Sequence, residues 1–160
     1  MRFIGSALVA SAIVLGACSG GEKAPATDAA TPAAAPAVAA TGTAAPITGT
    51  THEVKMYGDE KGYRFEPKDL TIKAGDGIKF VFINGGPHNV AFNAADIPAD
   101  MAPQLDANFG ADKMAELSSK MLMNAGESVT ISFANIKAGT YPFNCTPHLA
   151  MNMKGTVTVQ

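Results

Sequence analysis

From Val54 onward the large apolar residues fall on alternate positions in short runs, and Gly, Pro or Asn closes the runs. Val54 and Met56 start the pattern, Leu70 and Ile72 repeat it, and Gly75-Asp-Gly77 separates them from Ile78, Phe80 and Phe82. Val90, Phe92, Val129, Ile131, Phe133, Tyr141, Phe143, Val157 and Val159 continue it. A period of two puts one side of each run against a core and the other toward water, as strands require. The expectation is an all-β chain, a Greek-key β-sandwich of about seven or eight strands in two sheets. One stretch departs from the alternation. Between Asp112 and Leu122, the residues Met114, Leu117, Met121 and Leu122 sit at helical spacings, with Asn124-Ala-Gly126 beyond, and one short helical insertion is expected there. Methionines at that spacing read as packing rather than as a second metal site.

Near the C-terminus, Cys145, His148 and Met153 share one short loop, in Tyr-x-Phe-x-Cys145-x-Pro-His148 followed by Met153-x-Gly-x-Val-x-Val. A soft thiolate, a borderline imidazole and a weak thioether make three sides of a small metal site, and copper suits them. Adding one more histidine gives the trigonal His₂Cys centre with a long axial Met used in blue-copper electron transfer. The candidate is His88, in Asn84-Gly-Gly-Pro-His88-Asn-Val, just past the apolar run Ile78 to Ile83 and so at a strand end.

Taken together, these motifs resemble the cupredoxin family of blue copper proteins, its plastocyanin branch most closely, over about Glu53 to Gln160. The resemblance implies one type 1 copper, cycling between Cu(I) and Cu(II), on His88, Cys145, His148 and Met153. Met151 is the other methionine within reach. Met153 is preferred for the axial place because its spacing from His148, and the Gly155-Thr-Val157-Thr-Val159 that follows, are similar to the plastocyanin pattern. Asn89 matches the plastocyanin position whose amide ties the two ligand loops together, the kind of support that orients ligands. The implied function is one-electron carriage in an extracytoplasmic electron-transfer chain, between a redox donor and a redox acceptor met transiently, by a monomer. The alternative is extracytoplasmic copper storage or delivery, for which an open, exchangeable site would be expected.

Two departures bear on the partner. Plastocyanins usually carry Tyr immediately before the cysteine, where this chain has Asn144, and Asp96, Asp100, Asp106 and Asp112 are spread rather than clustered. The surface near His88 is expected to be apolar, since Gly85, Gly86, Pro87 and Pro147 carry little charge, and weak redox encounters use small apolar patches.

Catalysis on a substrate is not expected. No Ser-His-Asp set, carboxylate pair of defined context or phosphate-binding loop is present. With three histidines in all, the chain cannot build the trinuclear cluster of the oxidases that share the cupredoxin fold. His52, the remaining histidine, reads as a surface residue. Lys and Arg are scattered and the net charge is −2, so nucleic acid is not an expected partner.

The N-terminus reads as an export signal: Arg2, then an apolar run to Ala17 ending in small residues. The run falls short of the about 20 apolar residues that span a bilayer. Leu15-Gly-Ala-Cys18 looks like a bacterial lipobox, which would lipidate Cys18 and anchor the protein to a bacterial membrane, in the periplasm or at the cell surface. Residues 1–17 are thus expected to be a lipoprotein signal peptide, 18–51 a disordered Ala/Pro/Thr-rich tether, and 52–160 the cupredoxin domain. Of the two cysteines, this leaves Cys145 as the one thiol of the domain. Bound metal is the obvious protector of such a thiol in an oxidising compartment.

Overall fold

The computed structural model describes residues 42–160. The expected signal peptide, Cys18 and most of the expected tether lie outside the described residues. Among the described residues, ten strands form two sheets. The first sheet has the order β2-β1-β4-β8, from β1 (Thr51–Asp59), β2 (Gly62–Glu66), β4 (Gly77–Phe82) and β8 (Ser128–Ser132). The second has the order β3-β10-β9-β5-β7-β6, from β3 (Asp69–Ile72), β10 (Lys154–Val159), β9 (Gly139–Asn144), β5 (Ala91–Phe92), β7 (Ser118–Ser119) and β6 (Lys113–Ala115). This is the expected Greek-key sandwich, with the count raised by β5, β6 and β7, which have only two or three residues each. Runs this short carry no readable period.

Alternation in the sequence becomes the two faces of each sheet. Val54, Met56, Phe65, Phe80 and Phe82 point inward from the first sheet, and Phe92, Tyr141, Phe143, Val157 and Val159 from the second. Phe143 is the hub: its ring centroid lies 4.7 Å from Phe65 and 5.3 Å from Phe80, both edge-on. Such pairs contribute about 0.5–1.5 kcal/mol beyond their buried area. Because Phe143 is two residues from Cys145, the same packing that joins the sheets fixes where the cysteine emerges.

The helix is not where its spacing pattern placed it. Residues Ala102–Ala107 form the short helix α1, with a proline in its first turn and Gln104 and Leu105 buried. The stretch from Asp112 to Leu122 is instead largely extended, with Leu117 at φ 51°. Its backbone is spoken for elsewhere. The Phe92 N–H donates to the Leu117 carbonyl, Ser119 N–H to the Val90 carbonyl, and His88 and Leu122 exchange both bonds at 3.0 and 2.8 Å. Pairing with the His88 segment overrides helical spacing, because that segment would otherwise bury unpaired amides.

Residues 43–50, expected as the end of the tether, lie along the sandwich. Gln104 donates to the Thr43 carbonyl at 2.8 Å, and the Ala45 N–H donates to the Asn108 side chain at 2.9 Å. Thr48 and Gly49 both donate to the Gly75 carbonyl. The Asp76 carboxylate accepts the amides of Thr50 and Lys73 and the ring nitrogen of His52, and its pKa falls from 3.8 to about 2, the Lys73 amide being the largest cause. His52 is therefore committed to Asp76, at this end of the domain.

Candidate metal centre

The loops that leave β4 and β9 come together at the opposite end of the sandwich from residues 43–50. Gly85, on the first loop, has φ 74°, and a side chain there would run into the Gly58 backbone at 2.2 Å. Only glycine lets the two segments pass so closely. The loop then delivers His88, which is fully buried with its ring edge-on to Phe82 at 4.9 Å. Its Nε2 lies 2.9 Å from the Asn84 carbonyl. A carbonyl can only accept, so Nε2 carries the proton and Nδ1 is left with its lone pair.

That Nδ1 lies 3.6 Å from Cys145 Sγ, and His148 Nδ1 lies 3.4 Å from the same sulfur. One ligand atom from each of the three residues lies within 4.8 Å of the others. Bonds of about 2.0 Å to nitrogen and 2.3 Å to sulfur, at trigonal angles, would set sulfur and nitrogen roughly 3.5–3.7 Å apart. The residues present fit a copper ion. The second loop is closed by its own backbone: His148 N–H donates to the Cys145 carbonyl, Met153 N–H to the His148 carbonyl, and Cys145 N–H to the Met153 carbonyl. Met153 is wholly buried, whereas Met151 is 56% exposed.

Asn89 joins the loops. Its side-chain oxygen accepts the Thr146 N–H at 2.7 Å, and its amide donates to Thr146 Oγ1 and Ser118 Oγ, both at 3.1 Å. Three segments distant in sequence meet on one amide. Tyr63 went unremarked in the sequence, yet its ring stacks on His148 at 3.7 Å. Its signal was the two-residue offset from Phe65, which sets it on the core-facing side of β2.

Electrostatics favour ligands that wait in the right state. Burial holds both imidazoles below their ordinary value, in His88 against the Asn84 carbonyl and in His148 with help from neighbouring His88. Burial pushes the Cys145 thiol up, against the Asn89 and His148 backbone. Leu149 and Met151 stand out to solvent. Three of the four scattered aspartates are paired, Asp106 with Lys113, Asp112 with Lys120 and Asp100 with Lys137, and Asp96 accepts from the Asn93 amide.

Fold and site together define a copper protein of the cupredoxin class. Residues 52–160 match the family described as copper binding proteins, plastocyanin/azurin family, and the chain belongs to it. The plastocyanin of Nostoc punctiforme is 43% identical over 114 residues, 69% of this chain and 74% of the relative. That of Scenedesmus fuscus is 40% identical over 108 residues, 67% of this chain and 97% of the relative. Among solved structures, oxidised plastocyanin from Dryopteris crassirhizoma is similar with a TM-score of 0.51 and 34% identity, covering 68% of this chain and 99% of that one. Blue copper proteins of the plastocyanin type are electron carriers and not enzymes.

Loading this site should release protons in a defined number. The metal binds thiolate, while at neutral pH the thiol is protonated and both imidazoles are already neutral. Between pH 7 and 8, Cu(I) affinity measured by chelator competition, corrected for the chelator, should rise about tenfold per pH unit, one proton lost per copper bound. A flat profile would remove Cys145 from the ligand set.

Proposed function

We propose that this chain is an extracytoplasmic one-electron carrier whose copper is held by His88, Cys145 and His148, with Met153 as the weak axial ligand. The observation that carries the reading is the convergence of the three buried ligand atoms on two loops already tied together by Asn89. Copper bound there supplies the one-electron couple. The chain's part is to keep the ligands still, since each rearrangement on oxidation or reduction would add to the barrier. Asn84 fixes the tautomer of His88, Phe82 and the core wall off the inner side, and the closed hydrogen-bond ring from Cys145 to Met153 limits the second loop. A storage or delivery protein would profit from the opposite, an accessible site that exchanges metal.

Burial separates the two methionines as the axial role demands. Met153 lies inside the loop that carries Cys145 and His148, and Met151 faces solvent. Redox donor and acceptor would meet the end of the domain where Leu149 and Met151 are exposed, a small apolar surface suited to brief encounters. The pairing of aspartates with lysines supports a partner that does not depend on a concentrated acidic patch.

The domain from about residue 42 should bind one copper and turn blue on oxidation, and Cys145→Ser should lose the intense visible band while staying folded by circular dichroism. A Ser variant that kept the band would end the reading. Met153→Leu should raise the reduction potential and keep copper bound, and Met151→Leu should leave the potential unchanged within error. The reverse pattern would pass the axial role to Met151.

The location is read from Leu15-Gly-Ala-Cys18. Several acyl chains on Cys18, at about 0.8 kcal/mol per buried CH₂, would hold the protein on a membrane surface. Full-length protein made in a bacterium should sediment with membranes and Cys18→Ala should not; equal partitioning of the two would discard the anchor.

A further inference from the structure

The two histidines of the centre are held by different means. His88 has a polar partner for its second ring nitrogen, the Asn84 carbonyl at 2.9 Å, and its ring is boxed by Phe82. A histidine that ligates metal almost always has such a partner, which sets both tautomer and ring plane. His148 has none. Among the described residues its side chain makes one polar contact, from Nδ1 to Cys145 Sγ.

The face of the His148 ring is covered by Tyr63, while the His88 ring stands edge-on to it at 5.0 Å. The Tyr63 and His148 rings are stacked, with centroids 3.7 Å apart and planes at 18°, and the tyrosine also stands edge-on to His88 at 6.2 Å. The fold builds this contact deliberately. Tyr63 precedes the buried Phe65 by two residues on β2, so both side chains leave the same face of the strand, with Phe65 against Phe143 and Tyr63 beyond it at the end of the sandwich. Its cross-strand partner is Gly58, where a side chain would come within 2.5 Å of the tyrosine ring. The glycine leaves the room in which the ring lies flat.

We propose that Tyr63 is the positioning residue of His148: its ring does by stacking what the Asn84 carbonyl does for His88 by hydrogen bonding. It keeps the imidazole plane fixed, with Nδ1 toward Cys145, whether or not metal is bound. The inference rests on His148 being a ligand. Aromatic pairs of this kind are worth a factor of roughly two to ten in an equilibrium, enough to matter for a ligand whose other contacts are the His88 ring edge at 5.0 Å and the Cys145 sulfur.

The test uses Tyr63→Leu, Tyr63→Phe and the parent chain, first without metal. A stacked ring shields the His148 ring protons, so their NMR resonances should lie upfield in the parent and in Tyr63→Phe and return to ordinary positions in Tyr63→Leu. With copper loaded, Tyr63→Leu should lose Cu(I) to a chelator roughly two to ten times faster than the parent, and Tyr63→Phe at the parent rate. A general loss of stability would not be rescued by phenylalanine while the ring shift reappeared with it. Ordinary His148 resonances in the metal-free parent overturn the proposal even if Tyr63→Leu fails to fold. Parent-like copper loss in Tyr63→Leu, or a Tyr63→Phe variant that behaves like it, overturns it as well. If His148→Ala binds copper as tightly as the parent, the ligand reading itself fails, and the metal-free spectra still decide whether the stack exists.

Discussion

The contact on which the metal centre depends is the Asn89 amide. His88 arrives on one loop and Cys145 with His148 on another, 57 residues away in sequence, and nothing in either loop alone fixes their separation. One planar group does so by accepting from the Thr146 backbone and donating to the Thr146 and Ser118 hydroxyls. Asn89 is itself buried, so these bonds cannot be traded for water, and leaving either side unpaired would cost about 1–3 kcal/mol. The third partner explains the extended course of Ser118 and Ser119. A helix over Asp112 to Leu122 would take the Ser118 hydroxyl away from Asn89 and the Leu122 and Ser119 amides away from His88 and Val90.

A preformed site of this kind carries its own cost, because three donor atoms are gathered in a dry place before any metal arrives. The arrangement moderates that cost chemically. Buried imidazoles with depressed pKa and a buried thiol with a raised one are all neutral, so no charge is stranded in the core. The thiol can meanwhile share its hydrogen with the imidazole nitrogens 3.4 and 3.6 Å away. No buried side-chain nitrogen or oxygen among the described residues lacks a partner. The gathered ligands thus leave no buried side-chain polar atom unpaired, and for that reason a metal-free domain of the same shape is chemically reasonable.

What was legible in the sequence was whatever the chemistry or the pleat restricts to few residue types. Thiolate and imidazole have few substitutes as copper ligands, so the spacing of Cys145 and His148 was visible directly. Alternation over Ile78 to Phe82 or Thr156 to Val159 is imposed by a sheet with one buried face. The strands of two and three residues, β5, β6 and β7, are held by pairing rather than by pattern, and they left no trace. Met114, Leu117 and Met121 mimicked a helix because apolar spacing does not report where the backbone amides bond. In the structure Met114 is exposed and Leu117 is buried in the left-handed region, an outcome tertiary pairing alone explains. Tyr63 was hidden for another reason. Its place on the core-facing side of β2 follows from Phe65, but its neighbour His148 depends on how the end of the sandwich closes.

The two ends of the sandwich divide the work. β1 runs nine residues from Thr51, which pairs with Gly77, to Asp59, near Asn84 and the His88 loop, a span of about 25 Å. At the Thr51 end, residues 43–50 are fastened through Gln104, Asn108, Gly75 and Asp76, and Asn108 in turn donates to the Ser132 and Ala134 carbonyls. Residues 43–50 are therefore held across several elements before the chain enters β1. The ligand loops lie at the far end and share none of these bonds. The same sandwich that carries the metal centre thus separates it from residues 43–50.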